Sequence, residues 1–305
     1  MERRSPSSKK KLLIIVGGGA YGCIPAHFLG MLPKELRSLN GVDCLAGCSI
    51  GGILAAAYAT GCDFRYVDKF FQKNADKCFT KRLVAKFNPL ACPTYATEGL
   101  DAALGKLLLS GTMSDTRKVY PLLDLFIPAL NITDDKYKVF DNISEDDLNI
   151  PLVDICAITS AAPSYYAGRE LNGKCYIDGG LIEVAPLITA ATSLKGKRGV
   201  EFSDMDVLMI GTGKDVDDKP LDTKSYNDLG LLGIATKVIV PYATLSNELA
   251  TVYWGNNMGF NSFTYWNPCT HNGQLDDVSQ IPEMLKQCEK HRKEFIETYK
   301  NWVKR

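Results

Sequence analysis

The stretch Val42-Asp43-Cys44-Leu45-Ala46-Gly47-Cys48-Ser49-Ile50-Gly51, followed by Gly52 to Thr60 (GILAAAYAT), decides how the rest of the chain is read. Residues 42–47 have the character of a short buried strand, and residues 52–60 form a run of small residues with helical character, closed by Gly61. A serine between two such elements is held on a sharp turn. Glycines at 47 and 51 suit that turn, because side chains there would collide with the adjoining strand and helix. The helix behind the serine also presents its positive end to any oxyanion that forms there.

The same unit precedes it. Leu12 to Val16 is uniformly apolar and rich in β-branched residues, as expected of a strand buried on both faces. The loop Gly17-Gly18-Gly19-Ala20-Tyr21-Gly22 follows, and Cys23 to Leu32 has helical spacing. Alternating strands and helices this early predict an α/β fold with a central, mostly parallel sheet flanked by helices. Further strands are expected at 122–131, 137–140, 175–177 and 207–210, with a helix over 152–162 and one amphipathic helix over 281–303. Residues 1–10 (MERRSPSSKK) read as a flexible tail, 11–305 as one domain, and 63–120 as a helical insertion near the active site.

Composition narrows the function classes. The chain has 305 residues, 35 basic and 35 acidic, so no global field attracts nucleic acid. Ten cysteines show no Cys-x-x-Cys pair and no histidine cluster, which argues against a zinc site; reduced thiols and a cytoplasmic location are expected. The start of the chain lacks the pattern of a secretory signal, so Asn131-Ile132-Thr133 and Asn142-Ile143-Ser144 read as chance matches to glycosylation sequons. No apolar run reaches the ~20 residues that span a bilayer, leaving peripheral contact as the expected mode of membrane association.

The chemistry rests on few residues. Ser49 is the candidate nucleophile, and consecutive amides of Gly17 to Gly19 suit either an oxyanion hole or a phosphate cradle. Asp43 stands near the place of a ribose-binding acid, so a nucleotide-binding module is one alternative. A serine needs a base. His27 and His291 lie within helical segments, whereas His271 would complete the chain order Ser49, Asp178, His271 of an α/β-hydrolase triad. Only 48 residues precede Ser49, which leaves little room for that fold. Asp178-Gly179-Gly180, after the short strand at 175–177, offers the other base.

Together these motifs resemble the patatin-like phospholipase family from about Leu12 to the terminal helix. Gly17 to Gly22 is similar to its oxyanion loop, Gly47 to Gly51 to its nucleophile elbow, and Asp178-Gly179-Gly180 to its Asp-Gly-Gly/Ala motif. Thr159-Ser160-Ala161-Ala162-Pro163 and Gly211-Thr212-Gly213 resemble further family segments. The resemblance implies a three-layer patatin-like fold and a Ser49–Asp178 dyad without histidine. It also implies an oxyanion hole at Gly17, Gly18 and Gly19, fatty-acyl ester hydrolysis on lipid substrates, and no metal or organic cofactor. Three positions depart from the family pattern: Val16 replaces a polar residue, Tyr21 a basic one, and Val184-Ala185 an Asn-Asn pair before Pro186. A catalytically weakened relative with a regulatory role is a further alternative.

Overall fold

Every residue from Leu12 to Val16 is shielded from solvent, and their side chains alternate between two separate cores. This strand, β1 (Lys10–Ile15), pairs in parallel with β2 (Cys44–Gly47) on one side and β7 (Met205–Ile210) on the other. Burial on both faces accounts for its unbroken apolar sequence. The computed structural model describes residues 9–83, 92–215, 240–271 and 275–304. Residues 1–8 of the expected tail and 84–91 of the expected insertion, with Pro89, lie outside the described residues.

Outward from β2 the sheet continues through β3 (Asp124–Asn131), which pairs with β4 (Lys136–Asp141) and β6 (Lys174–Asp178); β5 (Arg169–Leu171) pairs with β6. Outward from β7 it ends at β9 (Ser262–Trp266). Two short strands, β8 (Lys214–Asp215) and β10 (Thr270–His271), pair separately. Pairs among β1, β2, β3, β7 and β9 are parallel, whereas those of β4, β5 and β6 are antiparallel.

On one face lie α1 (Cys23–Gly30), α2 (Ile50–Ala59), α3 (Phe64–Cys78), α4 (Glu98–Leu108), α5 (Asp115–Val119) and α6 (Leu152–Thr159). All ten residues of α2 are buried, so small side chains let it sit against the sheet beneath the outer helices. The short helix α7 (Gly180–Glu183) leads to α8 (Leu187–Arg198), which covers the other face with Leu187, Ala190, Ala191 and Leu194. The helix α9 (Val240–Asn257) follows, and Val252 packs against that second core. The result is a three-layer α/β arrangement.

The expected terminal helix is two helices, α10 (Ile281–Lys290) and α11 (Arg292–Lys304), interrupted at His291, whose φ of −97° and ψ of 5° are not helical. The break lets Phe295, Tyr299 and Trp302 of α11 enter the core from a new direction. The sequon residues Asn131 and Asn142 are both buried, and Asn142 donates to the Leu123 carbonyl and accepts from Leu125 N–H. No helix among the described residues is long and apolar enough to cross a membrane.

Candidate active site

The chain order reverses across β1, with β2 and β3 to one side and β7 and β9 to the other. A crevice opens at the carboxyl ends of strands at such a switch point. The loops after β1, β2 and β7 meet there. They carry Gly17 to Gly22, Ser49 and Gly211-Thr212-Gly213.

Sheet register explains how Asp178 joins them. β2 pairs with residues 124–126 of β3 and β6 with residues 129–131, while β4 spans 126–131 and so holds the opposite edge. Consequently β2 and β6 run toward each other along one edge of β3 and end head to head. Ser49 stands two residues past the end of β2, and Asp178 is the last residue of β6. The Pro128 carbonyl lies between the two pairings and accepts the Thr159 hydroxyl at 2.7 Å. A Cβ on Gly179 would stand 2.7 Å from that carbonyl, so only glycine fits after the aspartate.

Ser49 has φ 55° and ψ −125°, a conformation that costs a non-glycine residue about 1–3 kcal/mol. Its surroundings enforce it. A Cβ on Gly47 would lie 2.1 Å from the Gly51 carbonyl oxygen, and one on Gly51 would lie 2.3 Å from that of Ile15. Ser49 N–H donates to Thr159 Oγ1 at 3.1 Å, and Asp178 N–H donates to the Ala161 carbonyl at 3.1 Å. The segment from Thr159 to Ala161 thereby braces both residues.

The Asp178 carboxylate accepts the Gly180 N–H at 2.7 Å and the Cys48 thiol at 3.5 Å, and the Ser49 side chain faces it. Burial raises its pKa to about 6, against the lowering effect of Ser49, Gly180 and Cys48. Burial also pushes the Cys48 thiol well up, so it stays protonated and acts as a donor. No histidine is among the Asp178 partners. His271 instead stacks on Tyr21, with ring centroids 3.7 Å apart and planes at 19°. The structure thus does not bring His271 to Asp178 as the Ser49–Asp178–His271 alternative requires. His27 Nδ1 lies 3.0 Å from Asp68, and His291 Nδ1 lies 3.6 Å from Glu294.

The glycine loop also departs from expectation. Gly17 N–H donates to the Val184 carbonyl at 2.9 Å and is unavailable as an oxyanion donor. Its carbonyl accepts the Thr212 hydroxyl at 3.1 Å, so Gly17 is held on both sides. In a planar trans peptide the next N–H points opposite to the carbonyl, which turns Gly18 N–H away from Thr212. Gly18 and Gly19 N–H form no backbone bond among the described residues. Gly19 has φ 55°, and a Cβ there would stand 2.3 Å from the Leu275 carbonyl oxygen. A Cβ on Gly22 would meet Ile50 Cγ1 at 2.2 Å, which keeps the loop against the elbow helix.

The departures from the family pattern have local explanations. Tyr21 is buried and anchored by its stack on His271. Val16 N–H donates to the Ile210 carbonyl, and Val184 supplies a carbonyl to the loop. Sequence reasoning gave no role to Glu183. Its carboxylate accepts the N–H groups of Ile188 and Thr189 at 2.8 and 3.1 Å and the Tyr137 hydroxyl at 3.0 Å, capping α8. An acid just before Pro186 and a helix is the signal that could have found it.

Fold and site define an α/β protein with a serine elbow at the switch point of a mostly parallel sheet. The patatin-like phospholipase family model matches residues 13–191, and the chain belongs to that family. It is 29% identical over 234 residues to a cGAMP-activated phospholipase of Escherichia coli, covering 71% of this chain and 64% of that protein's length. It is 25% identical over 263 residues to a protein of the same description from Vibrio cholerae, covering 76% and 72%. The crystal structure of VipD from Legionella pneumophila aligns with a TM-score of 0.49 at 12% identity, over 97% of this chain and 68% of that one.

Proposed function

We propose that the protein is a lipid acyl hydrolase of phospholipase A type that works through a Ser49 acyl-enzyme. The placement of Ser49 on a strained elbow past the end of β2, head to head with Asp178 at the end of β6, carries this reading. Membership of the patatin-like phospholipase family supports the lipid substrate class. Ser49 Oγ attacks the ester carbonyl while Asp178 takes its proton. The oxyanion is received by Gly18 and Gly19 N–H, with the positive end of α2 nearby. Asp178 then gives the proton to the departing alcohol. In the second half, Asp178 takes a proton from water, hydroxide attacks the acyl carbon, and Ser49 recovers its proton as the fatty acid leaves.

The same reading takes residues 11–305 as one catalytic domain acting in the cytoplasm at the surface of a membrane. A fluorophosphonate probe and a soluble short-chain ester test it. Wild type is expected to label at Ser49 and turn over ester, as is His271→Ala. Ser49→Ala should lose both label and turnover, and Asp178→Asn should lose turnover. Turnover that survives both Ser49→Ala and Asp178→Asn would remove the dyad from the reading.

A further inference from the structure

A second cavity, of about 400 Å³, opens between the carboxyl end of α1, the turn that follows it, α3 and the α10–α11 junction. α1 starts directly after the glycine loop and its eight residues span roughly 12 Å, so the cavity lies at the far end of that helix from the loop. Five cations line it, Lys34, Arg37, Arg65, Lys69 and Arg292, against two carboxylates, Asp68 and Glu289. Both carboxylates already have partners: Asp68 holds His27 Nδ1 at 3.0 Å and Gln72 at 2.7 Å, and Glu289 faces Arg292 at 3.4 Å and His27 Nε2 at 3.5 Å.

The cations are less well matched. Arg37 reaches one acid, Asp63, at 3.5 Å, and its Nε is buried with no hydrogen-bond partner among the described residues. Lys34, Arg65 and Lys69 form no ion pair among the described residues. A buried guanidinium donor without an acceptor is costly, and an anion entering the cavity would satisfy it. Met31, Leu32, Pro33 and Ile296 add apolar wall, and the volume falls within the range of small-molecule sites. Planar guanidinium groups match phosphate geometry.

We propose that this cavity binds a phosphate group carried on a small organic body. The site is separate from Ser49 and does not depend on the hydrolytic reading. Calorimetry at low ionic strength with adenosine 5′-monophosphate, glycerol 3-phosphate and inorganic phosphate tests it, alongside sedimentation with phosphatidic acid and phosphatidylcholine vesicles. A phosphate ester should bind the full chain, and equally its Ser49→Ala variant. Arg37→Gln and Arg65→Gln should each weaken binding about tenfold. Arg65 is exposed on α3, so its replacement leaves the fold intact and separates lost binding from lost structure. Binding of the soluble esters identifies a free ligand; binding only to phosphatidic acid vesicles, with the same response to Arg65→Gln, identifies a lipid headgroup. The proposal fails if no ester or vesicle binds at millimolar concentration, or if both variants bind as wild type does. It fails equally if inorganic phosphate binds as tightly as its esters.

Discussion

At Asp178 the needs of chemistry and of folding pull in opposite directions. Its carboxyl titrates at about 6 in the folded chain against an ordinary 3.8, because burial disfavours the charge. The folded state therefore holds this proton more tightly than the unfolded state. Below pH 3.8 the group is neutral in both states and burial is harmless. As pH rises from 3.8 to about 6 the unfolded chain ionises while the folded one does not, so unfolding is increasingly favoured, by about 3 kcal/mol at the plateau above 6. Asp178→Asn should thus be more stable than wild type in urea at pH 8 by up to about 3 kcal/mol, with the difference gone near pH 4. Under the proposed mechanism kcat/KM of wild type should rise with pH around a midpoint near 6, because only the carboxylate accepts the serine proton.

Elements meet at this site through glycines, and the sign of a glycine substitution depends on what surrounds it. Gly47→Ala drives a Cβ into the backbone of the same elbow at 2.1 Å, a clash that no side-chain rotation relieves. A loss of several kcal/mol, or failure to fold, is expected in thermal unfolding. Gly196 lies inside α8 with nothing within 4 Å of the added atom. Gly196→Ala should stabilise by up to about 1 kcal/mol through helix propensity alone. The loop after β7 acts differently. Thr212 touches no reacting atom but fixes the Gly17 peptide. Under the proposed mechanism Thr212→Val should lower kcat about tenfold with little change in KM, a split that a purely structural defect would not give.

Across the whole molecule, β1 is tied to β7 not only by its ladder but by Lys11 and Asp206, buried together at 2.6 Å. Burial alone would raise the Asp206 carboxyl, but bonds from Lys11, Ser262 and Asn261 outweigh it and hold the carboxyl below its ordinary value. The Trp302 indole N–H of α11 reaches the Asp206 backbone carbonyl at 3.1 Å, so the terminal helix closes on the same point. Lys11→Met leaves that carboxylate buried without its cation and should cost about 3–5 kcal/mol in urea unfolding at neutral pH. The stability from this lowered carboxyl is present above 3.8 and is lost as pH falls, so wild type and variant should converge in acid.

The elbow, the glycine loop and Asp178-Gly179-Gly180 were legible in the sequence because each is a local event: a short apolar run ends, and glycines permit a turn that other residues cannot make. Their layering was legible too, since an apolar run like Leu12 to Val16 must be covered on both faces. Ser262 to Trp266 was missed although its residues suit a strand, because so short an aromatic segment gains strand character mainly from its partner β7. Three decisions belong to tertiary structure alone. Gly17 N–H is claimed by a carbonyl 167 positions away, at Val184, which removes it from the expected oxyanion hole. His271 stacks on Tyr21 and is not among the partners of Asp178. Ser49 and Asp178 face each other because β2 and β6 share one edge of β3, and register between strands is set by packing across the sheet. Sequence determined which groups could react; the sheet decided which of them touch.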